Sequence, residues 1–410
     1  MHLEAGLQVL RVTVGASDFL DLDAILVVPQ GGELGGGGEE LLGARPPMGW
    51  NSWNTFGCNI SEALIKQTAD TMVSSGMKAA GYEYVNLDDC WMDGRDASGK
   101  LRWNATTFPS GIPALADYIH GLGLKIGIYE SANQWTCTGV YGGLDRSKAV
   151  GSLGHEADDA ASFAAWGIDY LKYDLCAGQR SSILAMGVAL RQQSKPIVYS
   201  INPGNGESDL DPPKANWDMA GVANVWRIGF DINASWSAVI RLLDQNSKLY
   251  PYAGPGGYND PDMLEVGKLA NANEDRAHFA LWAIMAAPLI AGNDLQNMSA
   301  TTREILTNEE IIAVDQDPLG IQGRVVEGEG AQQQVWSKTL SGTNVRAVAL
   351  FNRANAPAAI TVHWSALGLP AGAASVRDLW AHAELGSFTD SYTAEAVPAH
   401  GVVMLRITSP

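Results

Sequence analysis

Basic residues are scarce in this sequence. Lysine and arginine together number 27, against 45 aspartates and glutamates, which gives a formal net charge of −18. Binding to the phosphate backbone of a nucleic acid requires clustered positive charge, and no stretch of the sequence forms a basic stripe. The composition therefore argues against nucleic acid as a partner.

Long apolar runs are missing as well. No run reaches the roughly 20 residues that a membrane-spanning helix requires, so we expect no membrane partner. The N-terminal stretch MHLEAGLQVLRV lacks the basic start, apolar middle and small-residue cleavage site of a signal peptide. We infer that export, if it occurs, is encoded elsewhere or that this chain is a fragment.

Cysteine occurs only four times, and the spacing of these residues does not resemble that of a zinc site. Histidines are few and do not cluster, so we expect neither a metal nor a cofactor. No G-x-S-x-G elbow and no glycine-rich phosphate loop occurs between a predicted strand and helix, which weakens esterase and nucleotide-binding interpretations. An even number of cysteines suggests two disulfides, for which three pairings exist.

The order of the predicted elements divides the chain into four parts. Residues 1–30 contain two short predicted strands, which cannot form a stable sheet alone, and we interpret them as the remnant of a carbohydrate-binding-like β-sandwich module. Residues 31–44 form a glycine-rich linker. In residues 45–318, eight predicted strands alternate with helices, which is typical of an α/β protein with a (β/α)₈ TIM barrel. Short strands and turns in residues 319–410 predict a C-terminal antiparallel β-sandwich.

The strand and helix signals of the barrel can be placed individually. The first long helix is predicted to begin after the N-cap Ser61 and to end at Gly81. The predicted barrel strands are 48–53, 82–89, 125–131, 168–174, 196–202, 224–232, 256–264 and 288–292. The predicted helices are 61–81, 111–122, 154–166, 180–193, 235–247, 273–286 and 299–306.

Polar side chains cluster at the ends of these strands, where the catalytic groups of such barrels lie. Asp88 and Asp89 end the second strand, Lys172 and Asp174 end the fourth, and Asp231 ends the sixth. Several carboxylates without a metal-ligand pattern indicate glycoside hydrolysis, which requires two carboxyl groups around one bond. Further polar residues at strand ends are Tyr129, Glu130, Asn202, Arg227, Asp260 and Asp262.

A set of motifs in this chain resembles those of glycoside hydrolase family 27, the melibiase or α-galactosidase family. The motifs are, in order, RPPMGWNSWNTFGCNI, YVNLDDCW, KIGIYES, YLKYDLC, VWRIGFDI and GGYNDPDML. The resemblance covers about residues 45–410, because that family also carries a C-terminal β-sandwich. It implies a retaining exo-glycosidase that removes terminal α-D-galactosyl residues by double displacement.

The resemblance also implies the two catalytic residues, with Asp174 as nucleophile and Asp231 as general acid/base. Lys172 lies two residues before Asp174, so both side chains are expected on the same face of the strand, where the cation favours an ionised carboxylate. Arg227 is expected to share one face of an extended strand with Asp231. We therefore expect Asp174 to be ionised and Asp231 to be protonated at the start of the cycle.

The resemblance further implies a sugar-binding set. Asp88 and Asp89 would bind the 4- and 6-hydroxyls of galactose through charge-assisted hydrogen bonds, and Trp53 would face the apolar side of the sugar. The remaining residues of this set are Tyr129, Cys137, Lys172, Arg227 and Asp262.

The fifth strand departs from the family pattern. It reads VYSINPGNG where typical α-galactosidases carry a Cys-Glu-Trp motif whose glutamate binds the 2-hydroxyl. Either Asn202 or a different loop takes over that contact. Two alternatives therefore stay open beside an α-galactoside substrate. One is a related glycosidase acting on α-N-acetylgalactosaminides, β-L-arabinopyranosides or isomaltosyl units, and the other is a non-catalytic sugar-binding protein.

The family pattern pairs the cysteines as Cys58–Cys90 and Cys137–Cys176. Such bridges imply secretion or another oxidising compartment, whether extracellular, lysosomal or vacuolar. Four N-x-S/T sequons are present, and they could be glycosylated only in a eukaryotic secretory pathway. Nothing in the sequence indicates an oligomeric state. The sequons begin at Asn59, Asn104, Asn233 and Asn297.

Overall fold

The computed structural model describes residues 41–203 and 221–410. The predicted N-terminal module, residues 1–30, and most of the predicted linker lie outside the described residues. Within the described ranges, no helix is long and apolar enough to cross a membrane.

In residues 41–203 and 221–318, ten strands are present, and eight of them form one parallel sheet in the order β10-β1-β2-β5-β6-β7-β8-β9. The remaining two, β3 and β4, form an antiparallel hairpin. The ten strands are β1 Met48–Asn51, β2 Tyr84–Asn86, β3 Met92–Arg95, β4 Leu101–Trp103, β5 Lys125–Ser131, β6 Tyr170–Asp174, β7 Val198–Asn202, β8 Val225–Arg227, β9 Tyr258–Asp260 and β10 Leu289–Ala291.

Residues that follow β9 close the sheet into a barrel. Leu264 forms a parallel bridge with Ala291 of β10. The N–H of Leu264 donates to the carbonyl of Ile290 at 2.7 Å, and the N–H of Gly292 donates to the carbonyl of Leu264 at 2.9 Å. The predicted (β/α)₈ barrel is therefore confirmed, with all eight strands at the predicted places, seven of them shorter than predicted and β5 with the predicted bounds.

Helices cover the outside of the barrel and bury their apolar faces against it. The N-cap predicted at Ser61 is present, because its Oγ accepts a hydrogen bond from the N–H of Leu64 at 3.3 Å. This helix ends before the predicted Gly81, since Gly76 takes a positive φ of 92° that interrupts it. The helices are α1 Trp53–Phe56, α2 Glu62–Ser74, α3 Gly111–Gly121, α4 Cys137–Tyr141, α5 Glu156–Ala165, α6 Arg180–Arg191, α7 Trp236–Asn246, α8 Ala272–Ile284, α9 Ala300–Leu306 and α10 Glu309–Asp315.

The C-terminal strands are antiparallel and form a six-stranded sheet, β11-β12-β13-β18-β15-β16, and a two-stranded sheet, β14-β17. Val348 and Leu350 of one sheet share a buried cluster with Ile360 and Val362 of the other, which confirms the predicted β-sandwich. The strands are β11 Arg324–Glu327, β12 Gln333–Thr339, β13 Val345–Asn352, β14 Ala358–His363, β15 Ala373–Asp378, β16 Ala383–Thr389, β17 Ser391–Val397 and β18 Val402–Thr408.

Both disulfides implied by the family pattern are present, Cys58–Cys90 and Cys137–Cys176. Each bridge joins the segments that follow two neighbouring barrel strands, so both lie at the carboxyl ends of the strands. Cys90 and Cys176 have positive φ angles of 78° and 44°, which are uncommon for residues other than glycine. The bridges therefore hold irregular backbone directly after β2 and β6.

Replacing both Cys137 and Cys176 with serine is expected to lower the free energy of unfolding by about 3–4 kcal/mol, because the bridge closes a loop with a sequence separation of 39. Denaturation in guanidinium chloride, compared with the wild type, measures the change. Peptide mapping without reduction should find the two linked pairs, and four free thiols or crossed pairs would contradict this expectation.

Candidate active site

A pocket lies at the carboxyl ends of the barrel strands. Its volume is about 210 Å³, below the roughly 300–1,000 Å³ of sites for drug-sized molecules, so it suits one small ligand unit. Ten of the eleven catalytic and sugar-binding positions predicted from the sequence line it, and Asn202 is the exception. Those ten are Trp53, Asp88, Asp89, Tyr129, Cys137, Lys172, Asp174, Arg227, Asp231 and Asp262.

Lys172 is the cation at the floor of this pocket. Its Nζ lies 2.6 Å from Asp88 Oδ2 and 3.8 Å from Asp174 Oδ2, and it also sits over the ring of Tyr129 at 5.2 Å from the centroid. Burial lowers the pKa of Lys172, but Asp88 and Asp174 raise it by a larger amount. The net shift is therefore upward, and the ammonium stays charged. The expected Lys172–Asp174 contact is present, although the shorter ion pair is with Asp88.

Asp174 ends β6 and is buried, at 7% exposure. Its Oδ1 has no hydrogen-bond partner among the described residues. Burial raises the pKa of Asp174 to about 6, and the nearby Lys172 opposes this shift only in part. The structure therefore presents a buried carboxylate with one oxygen unengaged by the protein, on the wall of a pocket that a small ligand can enter.

The adjacent carboxylates Asp88 and Asp89 have different partners. Asp88 Oδ2 accepts from Asn51 Nδ2 at 2.9 Å in addition to its ion pair with Lys172. Asp89 Oδ2 accepts from both the N–H and the Oγ1 of Thr138, at 3.0 and 2.9 Å. Burial is the largest cause that raises the pKa of Asp89. Asp89 thus fastens α4 to the end of β2, while Asp88 belongs to the charged floor.

Arg227 ends β8 and contacts two carboxylates. Its Nη2 lies 3.0 Å from Asp231 Oδ1 and 2.8 Å from Asp262 Oδ2. Asp262 Oδ2 also accepts from the N–H of Ile232 at 2.8 Å, which fixes the segment that follows β8. We expected Asp231 to lie on an extended strand with Arg227, but this is wrong, because the strand ends at Arg227 and Asp231 lies in the following loop.

The pKa shifts of the two catalytic candidates run in the direction opposite to the expected difference in ionisation. Burial raises the pKa of Asp231, but Arg227 and Lys172 outweigh burial, so the net shift is downward. The side chain of Asp231 is 78% exposed, whereas Asp174 is buried and carries a raised pKa. These opposite shifts follow from burial, because desolvation raises the pKa of Asp174 by more than Lys172 lowers it.

Asn202 lies at the end of β7, in register with Asp174 on β6. It lines an adjacent cavity of about 30 Å³ that shares Lys172, Arg227 and Asp262 with the main pocket. Burial raises the pKa of Asp260, which lines the same small cavity, to about 6. Strand β7, the fifth strand of the predicted barrel, therefore places its polar groups next to the pocket and not in its lining.

The pocket lining includes five described residues that the sequence patterns did not single out. Asn54 lies within a recognised motif and could have been inferred from it. Thr138 and Tyr141 belong to the short helix α4 and Gly142 follows it, and five residues are too few to show a helical period in the sequence. The complete set is Asn54, Thr138, Tyr141, Gly142 and Met263.

One group of side chains in the described ranges has the spacing of a metal site, namely Cys137, Asp174 and Cys176. Both of its sulfur atoms belong to the Cys137–Cys176 disulfide, so neither is available as a thiolate. The donor set that remains is one carboxylate, which does not fit a structural metal.

Two family models together match most of the chain from residue 45 onwards. A family model described as "Alpha galactosidase A" matches residues 45–317, and one described as "Alpha galactosidase C-terminal beta sandwich domain" matches residues 330–407. The chain belongs to the α-galactosidase, or melibiase, family. The predicted family is thereby confirmed.

Relatives in the α-galactosidase family match over most of their length. The chain is 47% identical to "Alpha-galactosidase 3" of Arabidopsis thaliana over 376 residues, covering 90% of this chain and 82% of that protein. It is 44% identical to "Alpha-galactosidase" of Cyamopsis tetragonoloba over 377 residues, covering 90% and 88%. The crystal structure of α-galactosidase I from Mortierella vinacea superposes with a TM-score of 0.81 at 37% identity, covering 89% of this chain and 97% of that one.

Proposed function

We propose that this chain hydrolyses terminal, non-reducing α-D-galactosyl residues of oligosaccharides, polysaccharides or glycoconjugates with net retention. The observation that carries the proposal is that Asp174 and Asp231 line one small pocket and are held in different ways. One is buried beside Lys172, and the other stands at the exposed mouth beside Arg227. Family membership supports the same activity, since the similar proteins are named α-galactosidases.

Asp174 is the proposed nucleophile. Attack on the anomeric carbon requires a carboxylate group that reaches the substrate, and Asp174 lines the pocket as the last residue of β6. Although burial raises the pKa of this group, the carboxylate still predominates near pH 7, because the value is about 6. The Lys172 ammonium stabilises the ionised form at 3.8 Å. Attack joins one carboxylate oxygen of Asp174 to the anomeric carbon and breaks the glycosidic bond.

Asp231 is the proposed general acid/base. It must first donate a proton to the leaving oxygen and then take one from water. Its carboxylate is exposed and paired with Arg227, and this environment favours the ionised form. A sugar bound in the pocket displaces solvent from around Asp231, and the loss of solvent raises the pKa of a carboxyl group. Substrate binding therefore moves Asp231 towards the protonated form that the first step needs.

Asp88 and Lys172 are proposed to orient the sugar from the pocket floor. A carboxylate accepts hydrogen bonds from sugar hydroxyls, and an ammonium donates three. The Nε of Arg227 has no partner among the described residues and is a further donor beside the pocket. A floor of charged, fixed groups suits a terminal unit that enters with its hydroxyls first, which explains the proposed exo action.

The second candidate is a glycosidase of the same family with a different preference at the 2-position of the sugar. It is favoured by one observation, namely that Asn202 lines the adjacent cavity instead of the main pocket. The lining then holds no side chain from the described part of β7 to select the 2-substituent. A panel of nitrophenyl glycosides separates the two candidates, and hydrolysis of any of them excludes a purely sugar-binding role.

Net retention is the expected stereochemical outcome. Proton NMR of the sugar released first from a nitrophenyl α-galactoside should show α-galactose, before mutarotation produces the β-anomer. Retaining enzymes hold their two carboxyl groups about 5–5.5 Å apart, and inverting enzymes about 6.5–9.5 Å apart. If β-galactose forms first, Asp174 has to be reassigned as a base that activates water.

The disulfides bear on where the protein acts. Both bridges lie at the active end of the barrel, and Cys137 lines the pocket itself. Disulfides of this kind persist in oxidising environments. We therefore propose a secreted, lysosomal or vacuolar location.

A further inference from the structure

Tyr141 is unusual among the residues that line the pocket. Most of the lining is buried or half-buried, and its exposed members are Tyr141, Gly142 and Asp231. Tyr141 is 72% exposed, the largest value among the exposed large hydrophobic residues of the described chain. Its phenol has no hydrogen-bond partner among the described residues. An aromatic ring therefore stands at the mouth of the pocket without a role in packing.

The backbone that carries this ring is held in place. Tyr141 is the last residue of α4, whose first residue, Cys137, is bonded to Cys176 directly after β6. The second residue of α4, Thr138, is bonded twice to Asp89 after β2. Contacts after β2 and β6, the two strands on either side of β5, thus fix the helix, so the ring has a defined place although it is exposed.

The segment after Tyr141 is anchored as well. Arg146 donates from Nε to the carbonyl of Gly139 at 2.9 Å and lies over the ring of Trp135 at 4.4 Å. Lys148 pairs with Asp93 of the β3–β4 hairpin at 3.4 Å. These contacts return the chain to the barrel on the side of the hairpin. The loop therefore forms a fixed rim and presents Tyr141 towards the solvent.

We infer that Tyr141 is a specificity-determining residue that binds the sugar unit on the leaving side of the scissile bond. The inference rests on the proposed function and deepens it. A pocket of about 210 Å³ encloses one terminal unit, so the next unit of the substrate must project from the mouth. Tyr141 and the proposed acid Asp231 are the exposed side chains that the described residues place there. A tyrosine ring offers an apolar face to the C–H groups of a sugar and a hydroxyl to its oxygens.

An exposed tyrosine is by itself an ordinary surface residue, and scattered exposed apolar side chains need no explanation. Two observations distinguish Tyr141. It lines the same pocket as Asp174 and Asp231, and its helix is anchored by a covalent bond and two hydrogen bonds. A preorganised ring of this kind binds a ligand at a low cost in conformational entropy.

The test compares two substrates with the same galactosyl unit. Melibiose and raffinose carry a sugar on the leaving side, whereas methyl α-galactoside carries only a methyl group. For Tyr141→Ala we expect kcat/KM on melibiose and raffinose to fall about 5- to 10-fold, mainly through KM, and kcat/KM on methyl α-galactoside to change less than about 2-fold. Inhibition by free galactose should be unchanged. Nitrophenyl galactosides are unsuitable, because their leaving group is itself aromatic.

Two further variants complete the test. Tyr141→Phe should keep most of the activity on melibiose, since the ring remains. Tyr118→Ala removes another exposed tyrosine, on the outer helix α3, and should leave kcat/KM on both substrates unchanged. Equal losses on melibiose and methyl α-galactoside, or no loss on either, would overturn the role of Tyr141. If the wild type cleaves no α-galactoside, the proposed function fails instead, so the two failures are distinguishable.

Discussion

Asp174→Asn is expected to lose about 10⁴- to 10⁶-fold in kcat on α-galactosides while the protein stays folded. An amide of the same shape cannot attack the anomeric carbon as a carboxylate does. The fold should survive because Lys172 keeps its shorter ion pair, at 2.6 Å, with Asp88. The cation is thus not left unpaired in the pocket floor when the charge on residue 174 is removed.

The stability of Asp174→Asn has a predictable sign. In the folded protein, burial raises the pKa of Asp174 to about 6, above its ordinary value of 3.8. The folded state therefore binds more protons than the unfolded state between about pH 4 and pH 6, and this carboxyl group loses stabilising free energy as pH rises through that window. Asparagine does not titrate, so the variant should be at least as stable as the wild type at pH 7.

Thermal unfolding at pH 4 and pH 7, together with kcat on nitrophenyl α-galactoside, measures both effects. Asp117→Asn, an exposed position on α3, is the matched control and should change neither. A folded Asp174→Asn variant that retains near wild-type kcat would show that another group is the nucleophile. A variant that is much less stable at pH 7 would show that the carboxylate is needed for the fold.

The sequence was sufficient to place the barrel because its strands are regular. A run such as YLKYD, apolar except for residues that face the pocket, is typical of a buried parallel strand that ends at an active site. Strands β3, β4, β11, β16 and β17 were not predicted. The side chains of β16 are mostly exposed, so the alternation of apolar and polar residues that reveals a strand is weak there.

The site was predictable only as a set of residue types. Motif order identified ten pocket residues, since strand ends in a barrel converge on one face. The loop that carries Asp231 and the five-residue helix that carries Tyr141 could not be placed, because neither shows a periodic pattern in the sequence. The ionisation of Asp174 depends on its burial, and burial against Lys172 and Asp88 is a property of the assembled barrel.

Asp231→Ala should lose about 10²- to 10⁴-fold in kcat/KM on substrates whose leaving group needs a proton, such as methyl α-galactoside. Dinitrophenyl α-galactoside needs no protonation of its leaving group, so its first step should be nearly unaffected. The second step, in which water must be deprotonated, should then become limiting. An initial burst of dinitrophenol followed by slow turnover is the expected time course.

Azide distinguishes the roles of the two aspartates. In Asp231→Ala, azide can enter where the carboxylate stood, at a position that is 78% exposed in the wild type. It needs no deprotonation, attacks the anomeric carbon of the glycosyl-enzyme and displaces the Asp174 carboxylate, which gives α-galactosyl azide. Removal of the carboxylate leaves Arg227 with its contact to Asp262 at 2.8 Å, so the site should keep its shape.

The stereochemistry of the azide product decides the assignment. Proton NMR should show α-galactosyl azide from Asp231→Ala, because azide there attacks the glycosyl-enzyme in the second of two displacements. It should show β-galactosyl azide from Asp174→Ala, because azide there attacks the α-galactoside directly in a single displacement. Asp117→Ala, the matched control, should show no acceleration by azide. Formation of β-galactosyl azide by Asp231→Ala would mean that Asp231 is the nucleophile, and the two roles would then have to be exchanged.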